Sequence, residues 1–170
     1  MKPYIALLRA VNVGGTGKLP MTELKTMCEA AGFSQVKTYI ASGNVVFLAK
    51  GDEAAVKAAL EKKLEAYAGK PVGVLVRTPE EMKAVLAANP FADKAPNRTV
   101  AIFLDDAAPA DALEKVSGLN EEELKLGRRE IYIHYGDGMA DSKLKIPAAA
   151  KGTARNMNTV AKLSEMAAAL

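Results

Sequence analysis

Three glycines within four residues, Gly14-Gly15-Thr16-Gly17, follow directly on a strand-like run from Pro3 to Val11. Glycine loses more freedom on ordering than any other residue, so such a stretch ends a strand without starting a helix. The chain therefore turns between Asn12 and Lys18. Pro20 sits where a first-turn proline is tolerated, and Met21, Leu24, Met27, Cys28 and Ala31 then share one helical stripe that Gly32 closes. Gln35 to Ile40 and Asn44 to Ala49 read as two strands joined at Ala41-Ser42-Gly43, a short hairpin connection. Asp52 to Ala68 returns to helix, with Val56, Ala59, Leu60, Lys63, Leu64 and Tyr67 approximating one face and Gly69 ending it. Val72 to Val76 is the next strand. This β-α-β-β-α-β order over about the first 77 residues predicts a ferredoxin-like plait.

The second half repeats the grammar. Thr78-Pro79-Glu80-Glu81 has the spacing of a capping box, with a helix running to about Ala88 before the Asn89-Pro90 break. Thr99 to Leu104 reads as a strand and Pro109 to Val116 as a helix. Glu123 to Leu126 and Glu130 to Tyr135 form a hairpin across Gly127-Arg128-Arg129. Two helical segments close the chain, Ala140 to Ala150, interrupted by Pro147, and Asn158 to Leu170 with its Val160, Leu163, Met166 stripe. The expectation is an α+β fold of two ferredoxin-like (α/β plait) subdomains packed together, with mainly antiparallel sheets, divided as residues 1–78 and 79–170.

With 170 residues, 49% apolar and 25% charged, the chain has enough apolar surface for one ordinary domain or two small ones, which argues against disorder or a disulfide scaffold. The single Cys28 has no intramolecular partner and fits a reducing compartment, so the expected localisation is cytoplasmic. Arg9 and Asn12 interrupt the first apolar run before a secretory core forms, and no run reaches the roughly 18 apolar residues of a membrane span. No membrane association is expected. The net charge of +3 comes from 23 basic and 20 acidic side chains, mostly interspersed, so charge neither establishes nor excludes a nucleic-acid partner.

Tyr4-Ile5-Ala6-Leu7-Leu8-Arg9-Ala10-Val11-Asn12-Val13-Gly14-Gly15, followed by Lys18, Met21, Leu24 and Gly32-Phe33, leads into Tyr39-Ile40-Ala41-Ser42-Gly43-Asn44-Val45-Val46-Phe47. Together these segments resemble the family called domain of unknown function 1697. Ile131 to Tyr135, Ser142-Lys143-Leu144 and Thr153 to Val160 look like its closing motifs, which extends the resemblance over nearly the whole chain. Two positions depart from the family pattern: Ala10 stands where glycine is common, and Met157 where tryptophan is common. If that tryptophan stacks on a ligand in relatives, Met157 weakens the role here; if it only packs, a flexible Met replaces it. The resemblance implies a two-part plait-like fold and no particular activity.

The glycine loop invites comparison with a phosphate-binding P-loop, which needs glycine first and Gly-Lys-Ser or Gly-Lys-Thr last. Gly17-Lys18 match, but Asn12 holds the first position and Leu19 the last, which argues against a nucleoside triphosphatase. Two readings stay open: an anion site on glycine backbone donors ahead of a helix, with Arg9, Asn12 and Lys18 around it, or a tight turn with no ligand. In a plait the first and third strands are central neighbours, so Asn12 and Lys18 should approach Ser42 and Asn44, although Gly43 and Asn44 also suit an ordinary turn. Arg155-Asn156-Met157-Asn158-Thr159 carries a guanidinium and two amides, of which one Asn serves as a helix cap. Ser142-Lys143 is equally an ordinary helix entry. Folded back on the first unit, Lys143 and Arg155 would complete a cationic site suited to phosphate or carboxylate.

His134, the only histidine, alternates to the face opposite Ile131, Ile133 and Tyr135, with Asp137 and Asp141 close enough in sequence to orient it. One His and one Cys fall short of a metal-ligand set, and no cofactor is expected. Base stacking of the kind used by RNA-recognition sheets has only Tyr4 and Phe47 to draw on. The sequence thus points to a small anionic ligand or nucleotide bound by Arg9, Asn12, Gly14, Gly15, Lys18, Ser42, Asn44, Lys143, Arg155 and Asn156. The alternatives are a nucleic-acid-binding module using the same basic groups and an enzyme of unnamed reaction using His134.

Overall fold

The computed structural model describes residues 1–11, 18–136, 139 and 142–170. The chain is α+β, with two antiparallel four-stranded sheets and, among the described residues, four α-helices. It divides into two compact units: Met1–Met82 together with Lys162–Leu170, and Lys83–Ala161. The sequence boundary at 78/79 lies a few residues before the end of the first segment, and the last turns of the chain belong to the first unit.

The first unit runs β1 (Lys2–Leu8), α1 (Met21–Ala30), β2 (Ser34–Tyr39), β3 (Asn44–Ala49), α2 (Glu53–Ala68) and β4 (Val74–Arg77). Its strand order is β2-β3-β1-β4, every neighbour antiparallel. β1 is central because Tyr4 to Leu8 is apolar without alternation, the pattern of a strand covered on both faces. It pairs Leu7 with Asn44 on one side and Leu8 with Val74 on the other. Strand β1 ends at Leu8, short of the Val11 expected from the sequence.

Both helices pack on the face carrying Tyr4, Ala6, Leu8 and Phe47. From α1 come Leu24, Met27 and Cys28; from α2 come Val56, Leu60 and Leu64. Burying each leucine contributes roughly 2 kcal/mol relative to exposure. The buried stripe of α2 is narrower than its sequence suggested, since Lys63 and Tyr67 stay exposed. Asp52 caps α2 by accepting from the Ala55 N–H at 2.9 Å, and Gly69 ends it in the left-handed region. Pro20 is the N-cap of α1, in extended conformation, and not its first helical residue.

Helix α3 (Pro79–Ala87) opens on the expected reciprocal box: the Thr78 N–H donates to Glu81 Oε1 at 2.9 Å and the Glu81 N–H to Thr78 Oγ1 at 3.1 Å. The second unit then carries β5 (Thr99–Phe103), β6 (Glu123–Leu126), β7 (Glu130–His134) and β8 (Thr153–Asn156), before α4 (Met157–Ala168). Its order, β6-β7-β5-β8, repeats that of the first sheet strand for strand. Val100, Ile102, Leu104, Ile131 and Ile133 form the core of one face.

Among the described residues of this unit, two expected helices are not formed. Pro109 to Val116 holds only a 3-10 turn at Ala112–Lys115. The described part of 140–150 holds only a 3-10 turn at Pro147–Ala149, whose proline suits a first-turn position and nothing further in. Ahead of it Leu144 and Ile146 alternate with exposed Lys143 and Lys145, and Lys145 bridges Ser117 antiparallel. Period two at these residues marks extended chain, which alanine content had disguised as helix. Conversely β8 went unread, because its four residues include only one apolar side chain, Ala154.

Candidate functional site

The described residues that follow β1 build one wall of a cleft of about 460 Å³. Beyond Leu8, the Arg9 N–H donates to the Gly73 carbonyl at 2.9 Å and so extends the β1–β4 pairing by one rung. This bond holds Arg9 at the rim, beside Ala10 and Val11. Lys18 and Leu19 enter from the segment leading into α1; Leu64 and Tyr67 come from the end of α2, and Lys70, Pro71 and Val72 from the turn beyond it. The floor is apolar, since Val11, Leu19 and Leu64 are buried, while Arg9, Lys18 and Lys70 are exposed at the edge. No carboxylate is among the described lining residues. Three cations thus line one cleft over apolar ground.

Asn12, Gly14 and Gly15 of the expected site, with the rest of the glycine loop, lie outside the described residues. Arg9 and Lys18 both line the cleft. Ser42, in the turn between β2 and β3, and Asn44, the first residue of β3, stand at the other side of β1. The Asn44 side-chain amide donates to the Tyr39 carbonyl at 2.9 Å and to Ser42 Oγ at 2.8 Å, so it closes the hairpin from within. The Leu8 N–H donates to the Gly43 carbonyl at 2.8 Å, which brings this turn to the end of β1 as the topology required.

In the second unit, Lys143 is exposed in the extended segment, and its carbonyl lies so close to Gly118 that a β-carbon there would sit 2.0 Å away. Gly118 has φ of +71°, so the position excludes a side chain twice over. Arg155 is a buried residue of β8 that donates to Thr153 Oγ1 at 2.7 Å and the Ala154 carbonyl at 2.9 Å. Desolvation lowers its guanidinium to about 10. Asn156 Oδ1 accepts from the Thr159 N–H at 2.9 Å, which is the capping role. Met157 is buried, so it packs.

His134 Nδ1 lies 3.0 Å from Thr99 Oγ1, whose own proton goes to the Ala95 carbonyl at 3.1 Å. A hydroxyl has one proton to give, so Nδ1 is the donor in this pair. The Phe91 ring flanks the imidazole at 6.0 Å. Asp137 and Asp141 lie outside the described residues. Cys28 is fully buried, and desolvation pushes its thiol up to about 12, the behaviour of a packed small hydrophobe.

The sequence reading overlooked Tyr67 and Lys70. Tyr67 was placed on the buried stripe of α2, yet it sits one turn past Leu64 where the helix ends, 47% exposed. A helix stop followed by Lys70-Pro71 was the available signal that this last turn borders a loop.

A family model described as a protein of unknown function (DUF1697) matches residues 1–132. The chain belongs to this family. The matched span holds the whole cleft and ends within β7, so the closing motifs after Tyr132 lie beyond it. A solved structure, that of a conserved bacterial protein from Streptococcus pneumoniae, superposes with a TM-score of 0.80 at 25% identity, covering 96% of this chain and 97% of that one. No curated protein matches. Among the described residues no helix is long and apolar enough to cross a membrane.

Proposed function

We propose that this family member is a small-ligand-binding protein whose first unit takes an anion, a phosphate or carboxylate on a compact organic body. The observation that carries the reading is the lining of the cleft: Arg9, Lys18 and Lys70 at the rim, an apolar floor, and no described carboxylate. Its volume of about 460 Å³ falls in the range of ligand pockets, which are mostly apolar with a few placed polar groups. An arginine and two lysines supply charge-assisted bonds to an acid head. Ser42 and Asn44 contribute to this reading by closing the hairpin whose Gly43 carbonyl holds the end of β1, just ahead of Arg9.

The fold belongs in this reading as a ferredoxin-like plait used twice, supported by the strand order 2-3-1-4 in both sheets and by βαββαβ succession in the first. A cytoplasmic location accords with a lone buried cysteine.

A thermal-shift series tests the function. Sugar phosphates, nucleotides and dicarboxylates at roughly 10 mM should raise the melting temperature if one of them binds with submillimolar affinity. Arg9→Ala and Lys18→Ala should remove the shift. No stabilisation by any of these classes would sink the reading. Tight binding of single-stranded RNA that falls steeply with salt would replace it with a nucleic-acid interface.

A further inference from the structure

Among the described residues, Tyr67 is the one large, substantially exposed apolar side chain that borders the cleft; the others, Met1, Ile40, Leu119 and Met139, lie elsewhere. It follows Leu64 by three residues, so the two share a helix face, yet Leu64 is 1% exposed and Tyr67 is 47% exposed. Tyr67 stacks on no other ring among the described residues; the ring pairs are Tyr4–Phe47, Phe33–Phe47 and Phe91–His134. Pro71 and Val72, just beyond the helix, continue an apolar wall beside it, and Lys70 lines the same cleft. An aromatic ring left open at the mouth of an apolar, cation-rimmed cleft has an unused π-face beside a site for negative charge.

We infer that the ligand of this cleft is an aromatic anion of mononucleotide size, its planar ring stacked on Tyr67 and its acid group held by Arg9, Lys18 and Lys70. The inference rests on the anion-binding reading above and narrows it to one chemical class. Sugar phosphates have the acid without the plane, and aliphatic dicarboxylates have no ring to stack. Tyrosine suits the role because its ring stacks on any planar partner and costs little rotamer entropy to hold.

The chain contains five tyrosines and no tryptophan, so tyrosine emission reports on stacking without a brighter fluorophore over it. The experiment titrates the intact protein with adenosine monophosphate and, separately, with ribose 5-phosphate, read by calorimetry and by tyrosine fluorescence. Adenosine monophosphate should bind at least about tenfold tighter than ribose 5-phosphate and quench the emission, since stacking a base on an aromatic side chain is worth about 1–3 kcal/mol. Tyr67→Ala should weaken adenosine monophosphate by about tenfold, abolish the quenching and leave ribose 5-phosphate within about twofold; Tyr67→Phe should keep both affinities. Lys70→Ala should weaken both ligands by a similar factor.

Equal affinity for the two ligands, or unchanged nucleotide affinity in Tyr67→Ala, overturns the aromatic assignment. If Arg9→Ala still abolishes binding in that case, the anion site itself stands. Binding of neither ligand by the unaltered protein overturns the inference, and a failed wider anion screen then removes the underlying reading as well.

Discussion

Gly43 lies directly against Val11: a β-carbon at residue 43 would fall 2.6 Å from Val11 Cγ2 and 2.8 Å from Leu8 Cβ. The glycine has φ of +90° and its carbonyl accepts from the Leu8 N–H. One residue on, the Arg9 N–H bonds Gly73 on the opposite side. The end of β1 is thus clamped between the β2–β3 turn and the entry to β4, and this clamp aims Arg9 at the cleft. Gly43→Ala should therefore destabilise by about 2–4 kcal/mol, combining a disfavoured backbone region with overpacking. Urea denaturation measures it; a loss below the noise of that method would show that Val11 and Leu8 move aside freely.

Ala10 has φ of +54°, in the left-handed region that alanine enters at a cost. The family pattern that the sequence resembles has glycine here, and the backbone gives a physical reason for one. Ala10→Gly should stabilise by about 0.5–1 kcal/mol, the relief of strain outweighing the extra freedom of glycine in the unfolded chain. The expected observation is a melting temperature higher by a few degrees. A lower one would mean that the residue is unstrained.

Cys28 and Tyr132, whose ionisations burial opposes most strongly, contribute to how stability responds to alkali. Burial pushes the Cys28 thiol from 9.0 to about 12, and burial with the Glu130 charge pushes the Tyr132 phenol from 10.0 to about 12. Both folded values lie above the unfolded ones, so this stability is complete below pH 9 and falls as pH rises towards 12. From pH 9 the unfolded thiol gives up its proton first, with a limiting slope of about 1.4 kcal/mol per pH unit for one group. Urea midpoints from pH 8 to 10 should decline less in Cys28→Ala than in the parent. Parallel declines would assign the effect to other groups. At pH 8 the native thiol should also react with a disulfide reagent only as fast as the structure opens.

The outer edge of β4 is closed by an ion pair. Glu61 accepts from the Val74 N–H at 3.2 Å, Lys57 donates to the Val74 carbonyl, and the two side chains pair at 3.3 Å one turn apart on α2. Strand edges leave such backbone groups open to other chains, and here side chains occupy them. Glu61→Ala should cost about 1–2 kcal/mol and accelerate hydrogen exchange at the Val74 amide. Unaltered exchange at that amide would show that the edge is protected by something else.

Arg155 is buried with its guanidinium bonded to Thr153 and Ala154. Arg155→Ala should lower stability by about 2 kcal/mol through the lost charged bonds and the space left behind. A denaturation midpoint equal to that of the parent protein would count against this structural role.

The strand and helix succession of the first unit was legible because its signals are local. Asp52 and Gly69 bound α2 by cap chemistry, Thr78 and Glu81 satisfy each other within four residues, and Gly43 marks a turn by its own backbone freedom. That one of Asn156 and Asn158 caps a helix was legible for the same reason, and the structure assigns the role to Asn156. Where local preference was weak the reading failed: alanines around Pro147 suggested helix although Leu144 and Ile146 alternate, and Thr153 to Asn156 is a strand only because β5 lies alongside. Sequence alone therefore determined the order of the first unit, its breaks and the presence of Arg9 and Lys18 near one loop. Tertiary structure decided that Tyr67 and Lys70, some fifty residues further along, share a cleft with them. The physical reason is that β1 and β4 pair antiparallel through Leu8–Val74 and Arg9–Gly73, a register no single stretch of sequence contains.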